Sequence, residues 1–311
     1  MMTTAARHNR VQWFKDLSMR FGIQQDPQLN LLLELPIQQV WFDELRKTVS
    51  QYVNACLRYP EGLISEQSLV NLAGDQLANR TASGILVPKQ EFQMEYNQLH
   101  RVVASWFRSL DIQHLVHQLM APVGVRLIKG GADAGVVLST YENTKLHTDV
   151  WNKEPFDFAS LMIPLLGDID RTSTEVFHPP DDFEEKYLRR MEDFDEGGDI
   201  WDGCVMYPKF RRGYGYILDG ILPHRTVRTG GKARITLTIP VRRKTTDAER
   251  RASELECGAG RLSHYVNFQE WIKYGSSKFL NFRDTYADAE IGIYNEFPFD
   301  SPIYDVVTSL P

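Results

Sequence analysis

A chain of 311 residues, 42% hydrophobic and 11% aromatic, is long enough to fill a core in one large domain or two small ones. A net charge of -6 and a pI near 5.8 exclude a general phosphate-binding surface, so no nucleic-acid partner is expected. The three cysteines, Cys56, Cys204 and Cys257, form no Cys-x-x-Cys pair, which removes a thiolate zinc site and a disulfide framework.

Met1 to Val11 is polar, with no apolar leader segment, and His8 falls in a terminus expected to fray. Trp41, Leu45, Val49, Tyr52, Val53 and Cys56 recur at helical spacing and predict a helix that stops before Pro60. Ser65 is placed to cap a second helix carrying Leu69, Val70 and Leu72. Phe92, Tyr96, Leu99, Val103, Trp106, Phe107 and Leu110 mark a third, and Ile112 to Met120 is expected to continue the helical layer.

Past Pro122 the pattern changes to short β-rich runs broken by glycine. They are Val123 to Lys129, Gly135 to Tyr141, Phe158 to Leu166, Tyr214 to Leu218 and Ala233 to Arg242. The richest apolar stretches, such as Leu161 to Leu166, are too short to span a bilayer. A cytoplasmic protein with no membrane partner is therefore expected. The acidic stretch Asp181 to Asp202 interrupts the strands and carries Phe183, Tyr187 and Met191 at helical spacing. It reads equally as a solvated excursion or as a lid over a pocket. The tail has one expected helix near Phe268 to Tyr274. The expected division, within one domain, is a helical layer over 1–121, a β core over 122–243 with an insertion at 179–213, and a C-terminal extension over 244–311.

His-x-Asp occurs once, at His147 and Asp149, directly after a predicted strand. Residues two apart on an extended backbone point the same way, so an imidazole and a carboxylate converge. His224, in a later β-like segment, supplies a third donor. Two imidazoles and one carboxylate on one face of a metal leave positions open for substrate and O2, and this donor set suits Fe(II). From Lys232 to Pro240 the chain alternates cleanly, with Arg234, Thr236 and Thr238 on one face and Ile235, Leu237 and Ile239 on the other. Turned inward, Arg234 and Thr236 fit a small carboxylate. Turned outward, they are a solvated face, and only the metal triplet tips the balance.

His147-Thr-Asp149, then His224, then Arg234-Ile-Thr236 resembles the Fe(II)/2-oxoglutarate-dependent dioxygenases over roughly Val123 to Arg243. The resemblance implies a double-stranded β-helix, a jelly-roll barrel of the cupin kind, flanked here by N-terminal helices. It implies iron on His147, Asp149 and His224, with 2-oxoglutarate held through its distal carboxylate by Arg234 and Thr236. Thr236 stands where serine is commoner and keeps the hydroxyl. The implied reaction uses O2, yields succinate and CO2, and oxidises an unactivated C–H bond by hydroxylation, desaturation or cyclisation. Asp149 argues against halogenation, because halogenating relatives carry Gly or Ala there. The expected substrate is a small metabolite or natural-product intermediate. Three rivals stay open: a protein side-chain hydroxylase of the same fold, a non-oxidative metalloenzyme with these ligands, and a binding protein retaining the cupin-like barrel. Oligomeric state leaves no signal in the sequence.

Around this core, Trp151 and Asn152 follow the triplet directly and are expected at the substrate, with a core tryptophan a nearly equal reading for Trp151. Arg126 and Tyr141, on the two strands before it, are expected to reach the co-substrate. Arg228 shares strand parity with His224 and is expected to point inward. His114 and His117 read as structural residues on a helix. Lys209, Arg211 and Arg212 read as a solvated basic loop.

Overall fold

The computed structural model describes residues 4–57, 80–81, 83–130, 143–152, 154–180, 191, 193–194, 203–230, 232–257, 259–283 and 302–310. Among these the main helices are α1 (Thr4–Phe21), α2 (Gln39–Cys56), α3 (Gln93–Leu110) and α4 (Asp247–Glu256). The strands are β1 (Leu32–Pro36), β2 (Val116–Met120), β3 (Gly124–Ile128), β4 (Phe158–Gly167), β5 (Thr172–His178), β6 (Val205–Met206), β7 (Tyr214–Asp219), β8 (His224–Arg228), β9 (Arg234–Arg243), β10 (Tyr265–Asn267), β11 (Phe279–Phe282) and β12 (Tyr304–Val307). The helix expected from Ser65 and the strand expected over Gly135 to Tyr141 lie outside the described residues.

The strand pairings are antiparallel. One sheet runs β1-β7-β4-β9-β2-β10, with β3 also paired to β9; a second runs β6-β5-β8; β11 and β12 form a third. Strands β4 and β9 are buried over nearly their whole length: β4 reads as a near-continuous apolar run, and the polar face of the alternating β9 is buried as well as its apolar one. α2 and α3 pack together beside the large sheet. α2 buries Leu45, Val49, Tyr52 and Val53, and α3 buries Tyr96, Leu99, Val103, Trp106 and Phe107. Each such side chain removed from water stabilises the fold by about 1.5–3 kcal/mol. α3 stops where Asp111 turns left-handed, at φ 53°.

Two elements depart from the sequence expectation. Ile112 to Met120 is not helical: Val116 to Met120 is β2, inserted between β9 and β10. Its apolar residues satisfy either period over so short a run, and pairing to two neighbours decides the outcome. His117 is consequently a strand residue and makes no helical pair with His114. The N-terminus is also ordered into α1, whose Trp13, Phe14 and Leu17 are buried. The large sheet thus draws β1 and β2 from before Pro122 and β10 from the C-terminal extension.

Buried charges lock these pieces together. Arg10 of α1 donates to Asp219 and to the Phe156 carbonyl, and Arg243 Nε lies 3.9 Å from the other Asp219 oxygen. Arg242 of β9 grips Asp157, with Nη2–Oδ2 at 2.9 Å, and Ser253 of α4 donates to the same carboxylate at 2.8 Å. α4 itself opens on a capping box between Thr246 and Glu249. Thr246→Ala is expected to cost about 1 kcal/mol, read as a lower midpoint in urea with an unchanged slope. An unaltered midpoint would show that the Asp157 and Glu254 contacts alone hold α4. Among the described residues, no helix is long and apolar enough to cross a membrane.

Candidate metal centre

Two backbone segments meet at the site. His147 N–H donates to the His224 carbonyl at 3.0 Å, and His224 N–H returns a bond to the His147 carbonyl at 2.8 Å. This antiparallel bridge sets the two residues directly opposite one another. Their rings stand 4.4 Å apart at 53°. Asp149 does not continue an extended strand, as parity reasoning expects; it opens a 3-10 turn, Asp149–Asn152. That turn is tied to the chain before His224 by Val150 N–H bonding the Gly220 carbonyl at 3.3 Å. The fold-back carries Asp149 Oδ1 to 3.6 Å from His224 Nε2. One donor atom from each of His147, Asp149 and His224 lies within 4.8 Å of the others.

The tautomers are fixed by the main chain. His147 Nδ1 is 2.7 Å from the Lys145 carbonyl, and His224 Nδ1 is 2.9 Å from the Leu222 carbonyl. A carbonyl only accepts, so each Nδ1 carries the proton and each Nε2 keeps its lone pair for a metal. Ligand bonds of about 2.0–2.2 Å at right angles bring donors about 3 Å apart, so small side-chain rotations close this cluster on one ion. The free cysteines, Cys56, Cys204 and Cys257, are not in the cluster. The hard carboxylate and two imidazoles fit iron. Phe194 stacks flat on the His147 ring, at 4.2 Å and 8°, and Asp193 beside it pairs with Lys145 at 3.5 Å. The acidic insertion therefore contributes a wall to the site. The rest of that insertion, apart from Met191, lies outside the described residues before Gly203.

The three donors border a cleft between the two larger sheets. Arg234 lies in its wall, 2% exposed, with Nη1 donating to Thr174 Oγ1 of the opposite sheet at 3.1 Å. Burial, then the charges of Arg126 and Arg228, pull the Arg234 guanidinium down to about 10. Among the described residues its Nε has no partner, and neither do the buried hydroxyls of Thr236 and Thr238 further along the same face. Buried polar atoms are nearly always bonded, so three orphans in a row mark where a polar ligand belongs. Arg234 and Thr236 are both buried rather than solvated, and Arg234 borders the cleft whereas Thr236 does not.

Arg126 and Asn152 border the cleft. Arg228 does not; it donates to Asn143 Oδ1 at 3.4 Å and acts on Arg234 through its charge. Trp151 corrects the sequence expectation: it is fully buried in the core and absent from the cleft wall. In a 3-10 turn residues three apart eclipse, so Asp149 and Asn152 share the cleft side while Trp151 rotates into the core. Tyr141 lies outside the described residues. Ser160, Met162, Thr174, Phe194 and Thr226 also border the cleft and were not singled out from the sequence. Thr226 shares strand parity with His224, a usable signal. Thr174 offered none, because β5 is not distinguished by pattern.

No protein-family model matches the sequence, and no curated protein matches it significantly. Solved structures similar to this chain include the non-haem alpha-ketoglutarate-dependent epimerase SnoN from nogalamycin biosynthesis, at 14% identity, covering 74% of this chain and 82% of that one, with a TM-score of 0.39. The non-haem alpha-ketoglutarate-dependent carbocyclase SnoK from nogalamycin biosynthesis follows at 11% identity, 78% and 84% coverage and a TM-score of 0.42. AviO1 from Streptomyces viridochromogenes Tue57 is 17% identical, with 78% and 96% coverage and a TM-score of 0.38. At these TM-scores the likenesses carry no weight for the reaction; the residues of the site do. In its cluster of two histidines and one aspartate, and in the order of the motifs around it, the chain resembles the Fe(II)/2-oxoglutarate-dependent dioxygenases.

Proposed function

We propose that this chain is an Fe(II)/2-oxoglutarate-dependent oxygenase acting on a small molecule, built on a double-stranded β-helix of the cupin kind. One observation carries the reading. Two Nε2 lone pairs and the Asp149 carboxylate converge on a cleft whose wall holds a buried arginine with an unbonded Nε. A dicarboxylate bound between a cation and a metal satisfies both ends at once.

In this proposal His147, Asp149 and His224 hold the iron, and Arg234 with Thr236 holds the distal carboxylate of 2-oxoglutarate. The bound iron, with 2-oxoglutarate and O2, supplies the oxidising power for attack on a C–H bond. The chain's own part is positional. The Lys145 and Leu222 carbonyls fix the imidazole tautomers, Phe194 covers one face of His147, and Thr174 orients the Arg234 guanidinium. Apolar walls such as the half-buried Met162 and the buried Phe194 limit water around the reacting atoms.

The test is anaerobic loading with Fe(II) and 2-oxoglutarate, followed by admission of O2. O2-dependent succinate and CO2 are expected, slow without substrate, and absent when Zn(II) replaces iron. Tight metal binding with no succinate under any substrate would point instead to a non-oxidative metalloenzyme.

A further inference from the structure

A second cavity adjoins the metal cleft. The two lie end to end along the inward face of β9: Arg234 borders the first, Thr238 borders both, and Pro240 borders the second. Arg234 and Pro240 are separated by about 20 Å of extended strand. Asp149 and Arg126 also border both cavities, whereas His147 and His224 border only the first. The metal site therefore stands at a junction between two compartments.

The second compartment differs in chemistry. Ile85, Met120, Phe158 and Pro240 give it an apolar floor. Its wall includes Glu154 and Arg261, which are paired to each other, and Tyr265 O–H donates to Glu154 Oε2 at 2.8 Å. Arg261 and Tyr265 belong to the C-terminal extension, which thereby helps build this compartment. Near the metal stand Arg126 and Thr238, and the Thr238 hydroxyl is buried, 7% exposed, with no partner. A buried, unbonded hydroxyl on a cavity wall points to a ligand atom that completes it.

We propose that this second cavity is the substrate compartment and takes a small organic acid, its carboxylate on Arg126 and Thr238 and its carbon chain on the apolar floor. The inference rests on the first cavity being the metal and 2-oxoglutarate site, and it moves Arg126 from co-substrate to substrate. A guanidinium meets a carboxylate through two parallel N–H bonds, and a neighbouring hydroxyl donates to the same group. A neutral amide of the same length offers Arg126 one weaker acceptor. The Glu154–Arg261 pair acts as a wall that limits the acid's length.

The probes are hexanoate and its neutral counterpart hexanamide, titrated calorimetrically into the metal-free full chain with and without saturating 2-oxoglutarate. Hexanoate is expected to bind about tenfold more tightly than hexanamide, and 2-oxoglutarate is expected not to displace it. Arg126→Gln should erase the preference for the acid and leave 2-oxoglutarate binding within about twofold. Gly124 borders the second cavity alone, and a Cβ added there comes no closer than 3.4 Å to the Thr238 carbonyl. Gly124→Val should therefore exclude both probes and spare 2-oxoglutarate. Arg234→Gln should do the reverse, losing 2-oxoglutarate and keeping hexanoate. Displacement of hexanoate by 2-oxoglutarate, equal binding of the two probes, or equal loss of 2-oxoglutarate in Arg126→Gln and Arg234→Gln would each overturn the proposal. Because the probes are read without iron or O2, failure of the oxygenase assay and failure of this assignment are separate results.

Discussion

His224→Ala is expected to weaken metal binding by about a hundredfold or more while leaving the protein folded. The bonds that join His224 to His147 are main-chain bonds, 3.0 and 2.8 Å, and survive loss of the imidazole. The side chain is 14% exposed and borders the cleft, so its removal opens little new cavity in the core. What is lost is one of three donors, and with it the Nδ1–H bond to Leu222 that fixed the lone pair. Asp149→Ala should match it, since the carboxylate stands 3.6 Å from His224 Nε2 and belongs to the same cluster. Titration with Co(II), followed by its visible absorption, reads the affinity, and a thermal melt reads the fold. Retention of stoichiometric, tight Co(II) by either variant would remove these three residues from consideration as the metal site.

The donors of this site were legible because their chemistry is local. His-x-Asp, a distal histidine and Arg-x-Thr need only residue type and spacing, and the strand that carries Arg234 announces itself by alternation, while the His224 segment is legible only as β-like. The reason His147 and Asp149 meet was not legible. Parity on a strand predicts convergence, but the chain achieves it through a 3-10 turn bonded to Gly220, a contact between residues far apart in sequence. The same turn sends Trp151 into the core, against expectation. Long-range pairing also explains the other differences. β2 is a strand because β9 and β10 flank it, and nothing within Ile112 to Met120 encodes those neighbours. Phe194 and Thr174 reach the cleft from segments whose own pattern is silent, one inside an acidic insertion and one on a mixed polar strand. Glu154 and Arg261, which wall the second cavity, are 107 positions apart and join only once the C-terminal extension docks.

Arg234→Met is expected to act in opposite directions on stability and on co-substrate. Among the described residues Arg234 is buried without a carboxylate partner, and desolvation, followed by the charges of Arg126 and Arg228, lowers its pKa to about 10. A base that binds its proton more weakly when folded lowers stability wherever the unfolded chain keeps that proton. The penalty is fully present below about pH 10 and fades towards pH 12.5, as the folded protein releases its proton first. At neutral pH the methionine variant, which keeps most of the side-chain volume, should be more stable without ligand by about 1–4 kcal/mol. The same change removes the proposed charged, two-pronged contact to 2-oxoglutarate, which would be worth about 1.5–3 kcal/mol, or roughly tenfold to a hundredfold in affinity. Melting curves with and without 2-oxoglutarate test both halves together. The variant should melt higher than the natural protein alone, and added 2-oxoglutarate should no longer raise its midpoint. A variant that melts lower, yet still gains the full shift from 2-oxoglutarate, would make Arg234 a structural arginine held by Thr174 and send the search for the carboxylate site elsewhere.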